Sequence, residues 1–584
     1  MNFWESFFLV LRYRPSVALA ALYWRVTRRR VRASNRLRAV LGQLPDTYPL
    51  WISEVERRRH LRDLSPEKVA SWLYRPRFSI VVHASPGSAR KALRRTIDSV
   101  EQQTYPNWSL MLVKAGEAAA QEARSLPAGL RLATEQTGDR GRALVIGLDS
   151  SDAEYVLLLN TGDALAETAL SRIAEALQQA PGASIVYGDQ DEIDASGRRK
   201  RPWFKPGWNR EMFLALDYLT GAVAIHRDAL GGIVARYPAA SLATILLEAS
   251  DAGRVIHVPH ILCHVAGEDS REPLSRAAIV ASHVQPLGAT AEPGPFDTVR
   301  VVWPLPKPLP LVSVIVPTRD KLPILRQCID SLLRLTDYAP IEVLVVDNGS
   351  VEAATHEYFG SLVEDGRIRV LRYDRPFNYS AINNFAAREA RGEYLCLLNN
   401  DTEVIDGGWL TEMMRYATRA DVGAVGAKLL YPDGTIQHAG VVVGMGEAAG
   451  HAHRFEASDQ PGYFRQMHVA QFVSAVTAAC LVVAKEKYFA VGGLDHQHLR
   501  VAYNDVDLCL KLQRIGWRNV YTPHAVLIHH ESKSRGNDLS PEHLDRYLGE
   551  LETLQARWGT RAYNDPLHNQ NLDRYSETFT LRLD

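Results

Sequence analysis

Cysteine is scarce in this 584-residue chain: Cys263, Cys328, Cys396, Cys480 and Cys509, odd in number and without CxxC spacing. That excludes a disulfide framework and a cysteine zinc knuckle, and it fits a reducing compartment. Long apolar runs are also missing. No stretch of about 18 apolar residues occurs, so a membrane-spanning helix is not expected. The longest early stretches, 7–11 and 17–24, are split by Arg12, Arg14 and Pro15. Nor is there a surplus of either charge. Lys plus Arg and Asp plus Glu both number 67, which removes the electrostatic ground for a nucleic-acid partner. What remains is ordinary globular composition, 46% hydrophobic and 23% charged, in a chain too long for one core, so two or more domains are expected.

Charge is uneven locally. Residues 1–60 hold twelve Arg against four acids. Phe3, Trp4, Phe7 and Phe8 come first, and Arg25, Arg28, Arg29, Arg30, Arg32, Arg36 and Arg38 follow. A secretory signal has the reverse order, charge before the apolar stretch. Two placements fit residues 1–40: on an anionic membrane surface, with aromatics in the interface and arginines at the headgroups, or packed on the protein's own body.

The chain contains an internal repeat. SIVVH at 79–83 recurs as SVIVP at 313–317, Ile97-Asp98-Ser99 as Ile329-Asp330-Ser331, and AEYVLLLNTGD at 153–163 as GEYLCLLNND at 392–401. The offsets, 234, 232 and 239, describe a duplicated domain rather than a solenoid of short repeats. Each copy alternates β-branched apolar runs with helical stretches, as a parallel sheet covered on both faces does. Pro304, Pro306, Pro308 and Pro310 mark an extended connector. The expected division is 1–74, basic amphipathic helices; 75–268, the first copy; 269–310, a proline-rich linker; 311–540, the second copy; and 541–584, a C-terminal helical tail.

Ligands of such sheets sit beyond the carboxyl ends of the strands. In the second copy those ends read Pro317-Thr318-Arg319-Asp320, Asp347-Asn348-Gly349-Ser350 and Asn399-Asn400-Asp401-Thr402. An acid there can bond a ribose or a base edge, and Gly349 allows a tight turn.

The series SVIVPTRD, VLVVDNGS, FNYSAINNFAAREARGEYLCLLNNDTEV, VGGLD, NDVDLCLKL and LIHHESKSRG resembles the family 2 glycosyltransferases of GT-A fold, in order and over the whole of 311–540. Tandem members of this kind resemble bacterial O-antigen and surface-polysaccharide assembly enzymes. The resemblance implies an α/β fold with two tandem GT-A domains, each a Rossmann-like, mostly parallel sheet. It also implies an inverting transfer from a nucleoside-diphosphate sugar (UDP or dTDP) to a saccharide or lipid-linked glycan. It puts the nucleotide sugar at Pro317, Thr318, Arg319, Asp347, Asn348, Gly349, Asn384, Asn399 and Asn400. A Mn2+ or Mg2+ ion falls to Asp401, with His529 and His530 as further candidates, since adjacent strand residues point oppositely. Asp505 matches the family's catalytic base. Two positions depart from the pattern: Asn399 and Asn504 stand where acids are usual. Asp507 reads as structural, and Ser532, Lys533, Ser534 and Arg535 suit a loop closing over phosphates. Gln437-His438-Ala439-Gly440 and Gly450-His451 recur in similar tandem enzymes, with no chemistry assigned. Gln555-Ala556-Arg557-Trp558 resembles a processive synthase's QxxRW signature but is one residue short.

The first copy lacks this equipment. His83 replaces Pro317, Lys114-Ala115-Gly116 replaces Asp347-Asn348-Gly349, Asp163 alone remains of the metal motif, and SLAT at 241–244 has no carboxylate. It is expected to be structural or acceptor-binding, with the acidic run Asp189–Asp194 as a solvated turn. The expected location is cytoplasmic, at the inner face of the cytoplasmic membrane. The alternative is a non-catalytic glycan-binding or scaffold protein descended from a transferase.

Overall fold

The computed structural model describes residues 3–26, 37, 40–42, 44, 47–58, 64, 66–84, 89–115, 131–135, 139–267, 275–530 and 541–583. The 28–36 arginines, Arg38 and the 532–535 loop lie outside these. The chain divides into two compact units. Unit 1 comprises Met1–Pro286, His568–Asp573 and Thr580–Asp584; unit 2 comprises Leu287–Leu567 and Arg574–Phe579.

In unit 1 the strands are β1 (Phe78–Ala84), β2 (Trp108–Ala115), β3 (Arg131–Glu135), β4 (Tyr155–Asn160), β5 (Ala164–Leu165), β6 (Ile185–Ile193), β7 (Arg199–Trp203), β8 (Val223–His226) and β9 (Val255–Val265). They pair in the order β3-β2-β1-β4-β8-β6-β9-β5, with β7 on β6. Unit 2 opens with a hairpin of β10 (Thr290–Pro293) and β11 (Val299–Val302). Its further strands are β12 (Val312–Thr318), β13 (Ile341–Asp347), β14 (Ile368–Arg372), β15 (Tyr394–Leu398), β16 (Thr402–Val404), β17 (Val422–Leu430), β18 (Ile436–His438), β19 (Val441–Val443), β20 (Ala449–His451), β21 (Gln471–Val473), β22 (Cys480–Ala484) and β23 (Arg518–His529). Its main sheet runs β14-β13-β12-β15-β22-β17-β23-β16, with β18 on β17 and β21 on β23. Strand for strand, this is the order of unit 1, so the duplication read from sequence is a duplication of topology.

Parallel pairing holds for β14, β13, β12 and β15 and for their unit 1 counterparts. Beyond them the sheet is mixed: β22 runs antiparallel to both β15 and β17, and β8 does the same between β4 and β6. Apolar runs report burial, not direction, which is why the sequence suggested more parallel character. β12 and β13 are buried along their whole length, as β-branched strands covered on both faces are. The helix Leu322–Leu335 buries Leu325, Cys328, Ile329 and Leu332, one stripe at helical spacing.

The expected linker is more ordered than its prolines suggest, and the expected C-terminal helical segment is present. Within 269–310 lie the helix Arg276–Val284 and the β10–β11 hairpin. The hairpin is anchored in unit 2: Arg300 meets Glu412 at 2.9 Å, and Arg419 lies over the Trp303 ring at 4.3 Å. The helix Pro541–Trp558 also belongs to unit 2, with Leu554 fully buried.

The helices Phe3–Tyr13 and Pro15–Val26 open unit 1, and Phe7, Val10, Ala18 and Ala21 form a small core with Leu37, Leu41 and Leu44. Of the two placements left open, Phe7 takes the packed one, because positions 3, 7 and 10 fall on the helix's inner stripe. Trp4 and Phe8, one residue on from Phe3 and Phe7, are 48% and 63% exposed.

Candidate active site

The carboxyl ends of β12, β13 and β15 and the start of the helix Asn504–Arg514 surround one cavity of unit 2, about 900 Å³ in volume. Pro317, Thr318, Arg319, Asn348, Asn399, Asn400, Asp401, Asn504, Asp505 and His529 all line it. Residues separated by more than 200 positions in sequence thus meet where strand-end chemistry was expected.

The loops after β12 and β13 brace each other. Asp320 and Lys321 take left-handed backbone, with φ of 50° and 57°. This turns the Asp320 carboxylate onto the Val351 and Glu352 amides, at 2.8 and 2.9 Å. Asp347 accepts from the Ser350 amide at 2.8 Å, across the turn that Gly349 makes at φ 72°. Asp347 and Gly349 shape the cavity wall without lining the cavity. Asn348 donates to the Tyr373 and Arg375 carbonyls, while its Oδ1 is buried with no protein partner.

Asn384 is a correction. Its amide donates to the Leu494 carbonyl at 2.7 Å, and its Oδ1 accepts from Tyr488 and from the Leu494 amide. These bonds tie it to Tyr488 and to the Val491–Asp495 turn, and it does not line the cavity. Gly493 is required there: its φ is 67°, and a Cβ would stand 2.5 Å from Asn384 Oδ1.

The Asn399-Asn400-Asp401 corner is held from several sides. Asn400 donates to Thr318 Oγ1 at 3.1 Å. Tyr379 donates to Asn399 Oδ1. His529 Nε2 lies 3.2 Å from Asp401 Oδ1 and 3.4 Å from the Asn399 amide nitrogen. The carboxylate and imidazole lie at hydrogen-bond distance, and an oxygen and a nitrogen donor side by side would suit a divalent cation. Among the described residues no cluster of three or more His, Cys, Asp or Glu side chains is suited to a metal; this corner offers two. His530 does not join it. Its ring bonds Glu403 at 3.0 Å, a carboxylate that also accepts from Gln327. Strand alternation sends the two histidines opposite ways.

Asp505 stands in the first turn of its helix. Removal from water pushes its carboxyl above the usual carboxylate range, against the pull of N–H donors from Ala478 and Val506 and of the Thr477 hydroxyl. Asn504 donates to the Val501 carbonyl and so closes the turn before the helix, a job that needs an amide rather than an acid. Asp507 is fully buried and meets Arg557, Trp558 Nε1 and Lys511 at 2.8, 2.9 and 3.0 Å, which settles it as structural. The Gln555–Trp558 stretch thereby has a place: it clamps the helix that carries Asp505.

Sequence reading missed the residues that tie these pieces together. The Ala478 amide donates to Asp505 Oδ2 at 3.0 Å, its carbonyl accepts from Tyr379, and the Ala479 carbonyl accepts from the Asn399 amide at 3.0 Å. Glu550 accepts from the Val501 and Ala502 amides at 3.0 and 2.9 Å, fixing the approach to the Asp505 helix. Backbone donors in a run of small residues leave no chemical signature in sequence.

In unit 1 the same corner is closed. β5 pairs with β9 so that Ala164 faces His264, as Thr402 faces His529. Asp163 and His264 are thus the counterparts of Asp401 and His529. The Asp163 oxygens accept from the amides of Ala266 and Asn160 and from the Asn160 side chain. His264 bonds Asp191 at 2.6 Å. Lys114 stands in register where Asp347 does, and the helix Leu242–Asp251 begins without an acid. The acidic run is not a solvated turn: Asp189 and Asp191 alternate on one face of β6, each 1% exposed. Asp189 meets His257, the Lys205 amide and Asn569. Asp191 meets Arg199 and Tyr48 besides His264.

The chain is 38% identical over 537 residues to an uncharacterized protein of Sinorhizobium fredii, covering 87% of this chain and 58% of that one. It is 36% identical over 521 residues to the O-antigen biosynthesis protein RfbC of Myxococcus xanthus, covering 85% of this chain and 40% of that one. The chain thus spans 58% and 40% of the length of these two relatives. An N-acetylglucosaminyl-diphospho-decaprenol L-rhamnosyltransferase of Mycobacterium tuberculosis is 26% identical, covering 43% of this chain and 86% of the relative. Among solved structures, a mannosyltransferase of Pyrobaculum calidifontis with GDP-mannose and Mn2+ overlaps at 17% identity and a TM-score of 0.32, covering 45% of this chain and 69% of that one. The sequence profile described as Glycosyl transferase family 2 matches residues 80–232 and 313–472, together more than half of the chain. By that double match the chain belongs to glycosyl transferase family 2.

Proposed function

We propose that unit 2 is an inverting glycosyltransferase that moves a sugar from a nucleoside-diphosphate sugar, with UDP or dTDP as the nucleotide, to a hydroxyl of a saccharide or lipid-linked glycan in surface-polysaccharide assembly. The observation that carries this is the Asp505 carboxyl facing the same cavity as the Asp401–His529 pair. In this reading Asp505 takes the proton of the acceptor hydroxyl while that oxygen attacks the anomeric carbon. The bond from that carbon to the diphosphate breaks on the opposite face, and its electron pair leaves with the β-phosphate oxygen. One displacement inverts the centre, so no covalent nucleophile is needed. Asp401 and His529 would hold Mn2+ or Mg2+, which when bound supplies positive charge for the departing diphosphate. Asn399, with its amide toward His529 and its oxygen bonded to Tyr379, fits an orienting role better than an anionic one. Unit 1, its corresponding corner filled by its own side chains, acts as a structural or acceptor-binding partner.

Among the described residues no helix is long and apolar enough to cross a membrane. In this proposal the protein works at the cytoplasmic face of the membrane as a peripheral protein. Trp4 and Phe8 enter the interface and the 28–38 arginines meet anionic headgroups.

The test is turnover of UDP-, dTDP- and GDP-sugars, followed as nucleoside-diphosphate release with and without Mn2+. Release that disappears in Asp505→Asn supports the proposal. Saturable donor binding without release in wild type would favour a glycan-binding protein instead.

A further inference from the structure

The Gln437–Gly440 stretch has no part in the reaction above, yet its histidine is placed with unusual economy. His438 ends β18 and is fully buried. Its Nδ1 lies 2.9 Å from the Ala427 carbonyl oxygen. A carbonyl only accepts, so Nδ1 carries the proton. Burial pushes this imidazole down to about 4, so near neutral pH the ring is uncharged and Nε2 keeps its lone pair. The Thr477 amide donates to that lone pair at 3.3 Å. One residue along the Ala478 amide donates to Asp505, and one further the Ala479 carbonyl accepts from Asn399. Three consecutive residues therefore bind, in turn, the buried histidine, the base and the strand end that carries Asp401. Gly426, on the facing strand, leaves room chiefly for Val476 and also for the ring: a Cβ there would stand 2.5 Å from Val476 Cβ and 3.2 Å from His438 Cε1.

We propose that His438 is a positioning residue for the base: by holding the Thr477 amide it fixes the turn that aims the Ala478 N–H at Asp505. The inference rests on the reading of Asp505 as the base. A histidine kept only to fill space needs neither bond. One kept only to tie β18 to β17 needs the Ala427 bond alone. The two ring nitrogens separate these roles. An asparagine at 438 places a donor near the Nδ1 position but does not reach Thr477; a glutamine places a carboxamide oxygen near Nε2, where it accepts from the Thr477 amide.

The experiment compares His438→Gln, His438→Asn and Asp505→Asn in the full chain, by steady-state nucleoside-diphosphate release from whichever sugar nucleotide the wild type turns over. The expected result is kcat within about 3-fold of wild type for the glutamine variant and a loss of about 10- to 100-fold for the asparagine variant, with donor KM little changed. Asparagine performing as well as glutamine, or a loss confined to KM, overturns the proposal. Full activity in Asp505→Asn would instead refute the base, an outcome separable because it does not involve His438. Crystal structures of the two His438 variants decide the point without turnover. The Ala478–Asp505 bond should persist in the glutamine variant and break in the asparagine variant; its persistence in both refutes positioning.

Discussion

Arg557 donates to the Asp507 carboxylate at 2.8 Å, and through that bond the C-terminal helix grips the helix on which Asp505 sits two residues earlier. The same guanidinium reaches Asp495 at 2.7 Å, so it also pins the Val491–Asp495 turn. Arg557→Ala leaves Asp507 to Lys511 and Trp558. The expected cost is about 1–3 kcal/mol of stability in urea or thermal melts, the range for losing a bond to a buried charged group, together with a fall in kcat. Unchanged melting and turnover would remove the clamp from the account.

Asp505→Asn should cost about 10²–10⁴ in turnover, the usual contribution of a general base. It should not cost stability at neutral pH. The folded-state carboxyl titrates above its unfolded value, so the native state holds the proton more tightly. Stability from this group is then fully present at low pH and falls as pH rises from the unfolded to the folded pKa. An uncharged amide escapes that loss. The acid limb of the wild-type rate profile should likewise lie above the ordinary aspartate value of about 3.9. A variant that is both inactive and clearly less stable at pH 7 would assign Asp505 to the fold instead.

The two histidines should separate under metal titration. His529→Ala and Asp401→Ala should each weaken Mn2+ binding, read as a smaller Mn2+-induced rise in melting temperature, and His530→Ala should leave the rise intact. Equal effects from both histidines would contradict the geometry that turns His530 to Glu403.

Binding to vesicles should depend on the exposed aromatics and on salt. Trp4→Ser with Phe8→Ser, or Gln at Arg28, Arg29, Arg30 and Arg32, should each reduce pelleting with phosphatidylglycerol-containing vesicles. Arginines near such a surface contribute on the order of 1 kcal/mol apiece, and the Debye length shrinks to ~3 Å at 1 M salt, so salt should release the wild type. Phe7→Ser should instead lower stability, since Phe7 is buried in the helical hairpin. Pelleting unaffected by both sets of changes would leave the hairpin as packing alone.

What was legible in the sequence was whatever carries a chemical signature. The β-branched runs located β12 and β13, and the acid-bearing strand ends located the cavity. The repeat foretold a matched strand order. What was not legible is carried by backbone or by register. Thr477, Ala478 and Ala479 act through amides and carbonyls that any residues would offer. Asn384 looks like a ligand because it is polar beside a motif, yet the fold binds it to Tyr488 and Leu494. Asp163 was legible as the remnant of the metal motif, but the likeness of His264 to His529 depends on strand pairing. The burial of Asp189 and Asp191 depends on partners as distant as Asn569.

The closed corner of unit 1 bears on how the duplication was spent. Catalytic pockets keep polar groups poised for a substrate and forgo stability to do so. Around Asp163 and His264 those groups are bonded by the protein's own Asn160, Ala266 and Asp191. The same aspartate should therefore have opposite meanings in the two halves. Asp163→Ala orphans the Ala266 and Asn160 amides, at about 1–3 kcal/mol of stability, and should leave turnover untouched. Asp401→Ala should abolish turnover at little thermal cost. One ancestral residue, kept twice, would have become a rivet in one copy and a tool in the other.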